Sequence, residues 1–188
     1  MRAIKLAFRR ARRARLGDFA ALLRPSRVDQ LLYYLEVDAN VEVNHTMPPI
    51  ERVDAHSNAG IEAVDNRVSP YRVCYFIRDG TAVVHESWLC ADVGLPADFG
   101  FESSIPVVGY CTTAPTHRGR HLYPQVLRHI AADVNRRGVA RGVFILVAPE
   151  NRPSIKGIER SGAQLLARLR GIRFIGTTWN RVTGKSPD

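Results

Sequence analysis

Residues Thr113–Ile130 read TAPTHRGRHLYPQVLRHI. Small polar residues give way to Arg118-Gly119-Arg120, and an amphipathic stretch follows. The segment before it, VVGYCTT at 107–113, has the composition of a strand, and Pro115 marks its end. The stretch LYPQVLRHIAADVNRR predicts a helix with Leu122, Val126, Ile130 and Val134 on one stripe and Gly138 as its C-cap. GVFILVAP then reads as a strand buried on both faces. A strand, helix and strand in this order form a unit whose strands pair in parallel through a right-handed crossover. At its centre the first helical turn offers amide hydrogens that lack partners within the helix. With the helix dipole they form an anion site between two arginines.

Working outward, YRVCYFIRDGTAVVHESWL predicts a hairpin turning at Asp79-Gly80. LLYYLEV at 31–37 reads as a strand, or as a helix ending at Glu36. NHTMPPIERVD and residues 92–106 read as loops, and SNAGIEAVDNR as a short helix capped by Ser57. PSIKGIERSG predicts a short helix closed by Gly162, and QLLARLRGIRFIG one or two terminal strands. The expected fold is α/β (α+β), with a mixed sheet.

The net charge of +9 is unevenly distributed. Residues 1–27 hold nine basic side chains against Asp18 alone, whereas the other 161 residues carry 18 basic and 17 acidic ones. The chain therefore divides into a basic arm at 1–27, expected to be helical, and a single near-neutral domain at 28–188. Such a distribution makes a nucleic-acid partner unlikely for the fold itself. It leaves the arm as a solvated segment, with contact to an anionic membrane surface or to nucleic-acid phosphates as the alternatives. No apolar run approaches the roughly 20 residues of a membrane span. Cys74, Cys90 and Cys111 lack CxxC spacing, and the six histidines lack zinc-like spacing. The expectation is a cytoplasmic chain with no metal.

The stretch PTHRGRHLYPQVL resembles the acyl-CoA loop of the GNAT acyltransferase superfamily, Arg/Gln-x-x-Gly-x-Gly/Ala between a strand and a helix. Arg118 takes the first position, and His121 and Tyr123 stand at the two glycine positions. The segment ENRPSIKGIERSG is similar to the family's second element, with Asn151, Ser154, Glu159, Arg160 and Gly162 in spacing. Ile158 stands where the family often has a tyrosine acid. RGRHLYPQVL looks like the variant found with surface-polysaccharide genes.

The resemblance implies a mostly antiparallel sheet with a central, splayed parallel strand pair and flanking helices. It implies acetyl-CoA or another acyl-CoA as co-substrate and a small primary amine as acceptor, in the narrower variant a nucleotide amino sugar. Arg118, Gly119, Arg120, His121, Leu122 and Tyr123 would hold the pyrophosphate. Cys111 and Thr113 would hold pantetheine by their backbone, and Asn151 with Ser154 would line the thioester end. His85 and Glu86 are candidate bases; alternation along a strand lets only one of them face the substrate. Glu102 is a further candidate, and His117 reads as structural or anion-binding. Ser154 and Tyr123 are candidate acids toward the leaving sulfur. Cys111 has no nucleophile's partners, and Trp88 and Trp179 default to packing. The alternative function is a non-catalytic module of the same fold, recruited to membrane or nucleic acid by its basic arm. A homo-oligomer is compatible with all of this.

Overall fold

The Asp79-Gly80 turn joins two strands, β3 (Arg72–Asp79) and β4 (Ala82–Cys90), in the antiparallel hairpin the sequence predicts. Gly80 sits at φ +59°, a conformation that favours a residue without a Cβ. The structure, a computed structural model, describes residues 25–38, 48–54, 71–174 and 177–184. The helices expected at 8–24 and 57–67 lie outside these residues.

Beyond the hairpin, β5 (Val107–Thr113) pairs antiparallel with β4. The chain then crosses through a 3-10 turn at Pro115–His117 and a long helix to β6 (Gly142–Val147), which lies parallel to β5. The strands β1 (Ser26–Glu36), β2 (Ile50–Val53), β7 (Gln164–Phe174) and β8 (Thr177–Gly184) complete one sheet of order β2-β3-β4-β5-β6-β1-β7-β8. Three helices flank it: α1 (Leu95–Asp98), α2 (Leu122–Arg136) and α3 (Arg152–Arg160).

Two expectations are revised, and a third is settled between its alternatives. Residues 50–53 are a strand, not part of a loop, because they pair with Ile77–Cys74 of β3 and Val53 is buried there. Four residues are too few to show a period in the sequence. The segment 92–106 contains α1, started by Pro96 in its first turn and anchored by buried Leu95. LLYYLEV is strand, and β1 begins five residues earlier, so Ser26 and Arg27 belong to the sheet.

β1 lies in the middle of the sheet because both of its faces are apolar. Leu32 enters one core with Val107, Phe144, Ala167 and Leu169. Tyr33 and Leu35 enter the other with α2. Gly142 opens β6 beside β1, where a Cβ would collide with the Leu35 carbonyl oxygen. The predicted stripe of α2 is buried throughout, with Val126, Leu127 and Ile130 fully enclosed against Tyr75, Ile77 and Ile145. Each such side chain contributes roughly 1.5–3 kcal/mol on leaving water. Gly138, at φ +66°, closes α2 as predicted.

What positions the site is a defect in the sheet. β5 and β6 pair only at Val107–Phe144 and Val108–Ile145. After Gly109 the β4–β5 register shifts at a bulge, and Tyr110 takes φ +50°. The bulge turns β5 away, and the parallel strands fork.

Candidate functional site

The fork opens into a cavity of about 700 Å³ between the end of β5, the loop at 117–121 and the start of α3. Its β5 wall is the unpaired strand edge. Ala114 donates to the Val84 carbonyl on β4, so by alternation Thr112 also faces β4, and the N–H and C=O groups of Cys111 and Thr113 face the gap. Arg118 Nε donates to the Thr113 carbonyl at 3.2 Å, which marks the same direction.

The loop builds the cavity's roof. Gly119 (φ +79°) and His121 (φ +59°) reverse the backbone twice before α2 begins. His121 occupies the N-cap, and no side chain caps the first turn. Among the described residues the N–H groups of Gly119, Arg120 and His121 have no backbone acceptor; that of Arg118 is taken by the Pro115 carbonyl. The run of amides without a backbone acceptor is therefore Gly119 to Tyr123, one residue shorter than the sequence suggests. Successive amides in this conformation form an anion-binding concavity. Arg118, Lys156 and Arg160 line the cavity and no carboxylate does.

Each anticipated residue finds a definite place. Cys111, Thr113, Arg118, Gly119, His121, Leu122, Tyr123, Asn151 and Ser154 all line the cavity. The Arg120 side chain turns instead to a neighbouring cavity of about 360 Å³, with Arg78 and Gln125. Asn151 is the N-cap of α3, its Oδ1 accepting from the Ser154 N–H at 3.3 Å. Replacing Asn151 by alanine should therefore lower stability by about 1 kcal/mol, read by chemical denaturation. Glu102 is exposed, hydrogen-bonded by Ser104, and outside the cavity. His117 bonds Asp79 at 3.1 Å and Thr116 at 2.9 Å, clipping the β3–β4 turn to the loop.

His85 and Glu86 separate as the strand period demands. His85 is 1% exposed and faces α2; its Nδ1 lies 2.8 Å from the Thr113 hydroxyl and its Nε2 2.9 Å from the Ser87 hydroxyl. Burial pushes its pKa down to about 4. A neutral imidazole with both nitrogens engaged is a poor proton acceptor, so His85 is better read as holding Thr113 in place. Its depressed pKa means the unfolded chain binds the extra proton first. Stability should be intact above about pH 6.5 and fall as pH drops toward 4, and His85→Gln should flatten that slope in denaturant melts. Glu86 is half-buried, and it pairs with Phe76 and Thr112 on the opposite face.

Tyr123 crosses from α2 toward α3. Its ring lies 5.9 Å from that of His85, and a Cβ on Gly157 would sit 2.6 Å from its Cδ1. Burial, then the neighbouring Cys111 thiol, hold the phenol well above its usual pKa, so it stays protonated. Burial likewise pushes the Cys111 thiol up, as suits a packing residue and not a nucleophile. Ile158 is fully buried in the α2-side core and cannot donate a proton. Trp88 is core, whereas Trp179 is not.

The residues missed at the sequence level are Lys156 and Gly157, with Arg160 noted only for its spacing. Pro153, Lys156, Gly157 and Arg160 share one face of α3 and line the cavity. Continuing the i, i+3, i+4, i+7 series from Pro153 finds them. Among the described residues no three metal-ligating side chains cluster, and no helix is long and apolar enough to cross a membrane.

No protein-family model and no curated protein matches the chain. Solved structures do resemble it. One is a protein assigned to the GNAT-family acetyltransferases from Novosphingobium aromaticivorans, with TM-score 0.54 and 16% identity over 87% of this chain and 68% of that one. Another is a GNAT-family acetyltransferase from Colwellia psychrerythraea, with TM-score 0.53 and 14% identity over 84% of this chain and 61% of that one. The chain thus spans about two thirds and three fifths of their lengths. At such identities the likeness is one of fold: an eight-stranded, mostly antiparallel sheet with one parallel pair and flanking helices is the GNAT fold.

Proposed function

Taking the GNAT fold and its open fork as premise, we propose that the chain is an acyltransferase that moves an acyl group, most simply acetyl, from acyl-CoA to a primary amine. The observation that carries this is the unpaired edge of β5 running into a ring of unsatisfied amides at 119–123, with cationic walls. Pantetheine is a chain of amides. It would add to that edge through Cys111 and Thr113 as a further strand does. Its diphosphate would meet the amides of the loop, with Arg118, Lys156 and Arg160 supplying charge.

The acceptor nitrogen attacks the thioester carbon directly. As that bond forms, the carbonyl oxygen becomes an oxyanion, which the N–H groups facing the gap stabilise. Glu86, on the face away from α2, takes the proton released by the nitrogen. The C–S bond breaks and the thiolate leaves, protonated by the Tyr123 phenol from the other face; Ser154 lines the thioester end. Acyl donor and acceptor thus meet through the gap from opposite faces of the sheet. The acceptor class that fits the RGRHLYPQVL resemblance is a nucleotide-linked amino sugar, in the cytoplasm.

A second reading, a module that binds without catalysis, is favoured by bulky residues at His121 and Tyr123 and by the burial of Ile158. Thermal stabilisation separates the two. Acetyl-CoA should raise the melting temperature of the full chain, by about 2.7 kcal/mol of stability at a hundred times its Kd, and short nucleic acid should not. The reverse pattern supports the module. A chain lacking residues 1–24 should keep the acetyl-CoA effect; the cut stops there because β1 starts at Ser26.

A further inference from the structure

Across β1, β7 and β8, no helix among the described residues covers one face of the sheet. Ala167 and Leu169 point into the core shared with α1, so Arg168, Arg170, Ile172 and Phe174 point to the other side, where α2 and α3 lie. Those helices pack chiefly on β1 and β3–β6. Ile172, Phe174 and Trp179 are 43%, 37% and 62% exposed. Ile172 is paired with Arg27 on β1 and with Trp179 on β8, so a cation, an aliphatic chain and an indole stand in one row. Asp29 answers Arg168 at 2.8 Å and Arg170 at 3.9 Å, so among the described side chains this face holds three arginines and one carboxylate. The preceding residues 1–24 add eight basic side chains and one acid, and they join the sheet at Ser26, paired with Arg173 beside this row.

We propose that this face rests on an anionic lipid bilayer. Trp179, Ile172 and Phe174 would lie at headgroup depth, and Arg27 and Arg170 would meet lipid phosphates. The combination decides between occupants. A bilayer interface offers an apolar medium and a negative potential in one plane. A second copy docked about a two-fold axis would set Arg27 and Arg170 against a face of the same sign. Nucleic acid would satisfy the arginines but gives Ile172 and Phe174 no apolar surroundings. The inference is independent of acyl transfer.

The test uses the full chain with phosphatidylcholine vesicles, with and without about 30% phosphatidylglycerol. Trp88 is 1% exposed and Trp179 62%, so a change in tryptophan emission reports Trp179. Cosedimentation and a shift to shorter wavelength are expected with anionic vesicles alone. Arg27→Glu combined with Arg170→Gln should weaken binding at least about thirtyfold, at roughly fivefold per basic group lost near the surface. Trp179→Phe should bind without the shift; being exposed, it also serves if the charge variant fails to fold. Binding that leaves the emission unchanged and ignores the charge variant would show that residues 1–24 act alone, and overturns the proposal. So does a blue shift that appears on concentrating the protein without lipid, or one produced by short duplex DNA and not by vesicles.

Discussion

Glu86→Gln should lower kcat about 10²–10³-fold, with the KM for acetyl-CoA within twofold of the parent. Glutamine keeps the shape of the side chain and its place between Phe76 and Thr112, but it cannot accept the proton that the attacking nitrogen sheds. His85→Gln should behave oppositely, disturbing Thr113 and stability while leaving the shape of the rate profile. Steady-state kinetics across pH on both variants reads the difference. Undiminished turnover in Glu86→Gln would move the base elsewhere and remove the claim that the acceptor comes from the face away from α2. Tyr123→Phe is the matching test for the acid. It should slow turnover more with acyl donors whose leaving thiol is more basic.

Asp133→Ala should cost about 2–3 kcal/mol, a sizeable share of the stability of a domain this size. Asp133 is 8% exposed near the end of α2. It accepts from the Tyr75 hydroxyl at 2.7 Å and from Arg137 at 2.9 Å, and Arg52 lies 3.7 Å away. Removing it takes the carboxylate acceptor from a buried phenol and leaves the buried Arg52 Nε, which already lacks a hydrogen-bond acceptor, without the carboxylate beside it, although Asp54 still pairs Arg52 Nη1 at 2.6 Å. Burial raises the Asp133 carboxyl, but the bonds from Tyr75 and Arg137 outweigh it, and the pKa is lowered overall. The unfolded chain therefore takes up this proton first. The contribution is complete above the ordinary carboxylate pKa of about 4 and is lost as pH falls through the lower folded value. Denaturant melts at pH 7 and pH 3 should show the parent and Asp133→Ala converging in acid.

Local signals carried the elements whose burial is periodic. The α2 stripe from Leu122 to Val134, the Asp79-Gly80 turn and the Gly138 cap are each set by contacts within a few residues, so neighbours in sequence reveal them. The short strand at 50–53 and the helix at 95–98 were hidden because each is stabilised by partners far along the chain, β3 in one case and the Leu95 core in the other. At the site, the loop at 118–123 was legible because backbone amides at a strand–helix junction need only the local conformation, whereas Cys111, Thr113, Asn151 and Ser154 were expected only through the family resemblance. The fate of His85 was not. Whether a strand histidine meets solvent or the hydroxyls of Thr113 and Ser87 depends on which face α2 covers.

By itself the amino-acid order determined a strand–loop–helix–strand unit whose turn carries arginines beside a helix start, a hairpin feeding it, and a basic segment set apart from a neutral body. Those features follow from backbone geometry, side-chain period and charge, all of which act over short stretches of chain. Only the tertiary structure decided that β1 fills the centre of the sheet, that β5 and β6 part after two residue pairs, and that Tyr123 reaches α3 over Gly157. It also decided that Ile172 and Trp179 stand bare beside Arg27. These depend on strand order and on which faces the helices cover, and the free energy that selects them comes from contacts between residues remote in sequence.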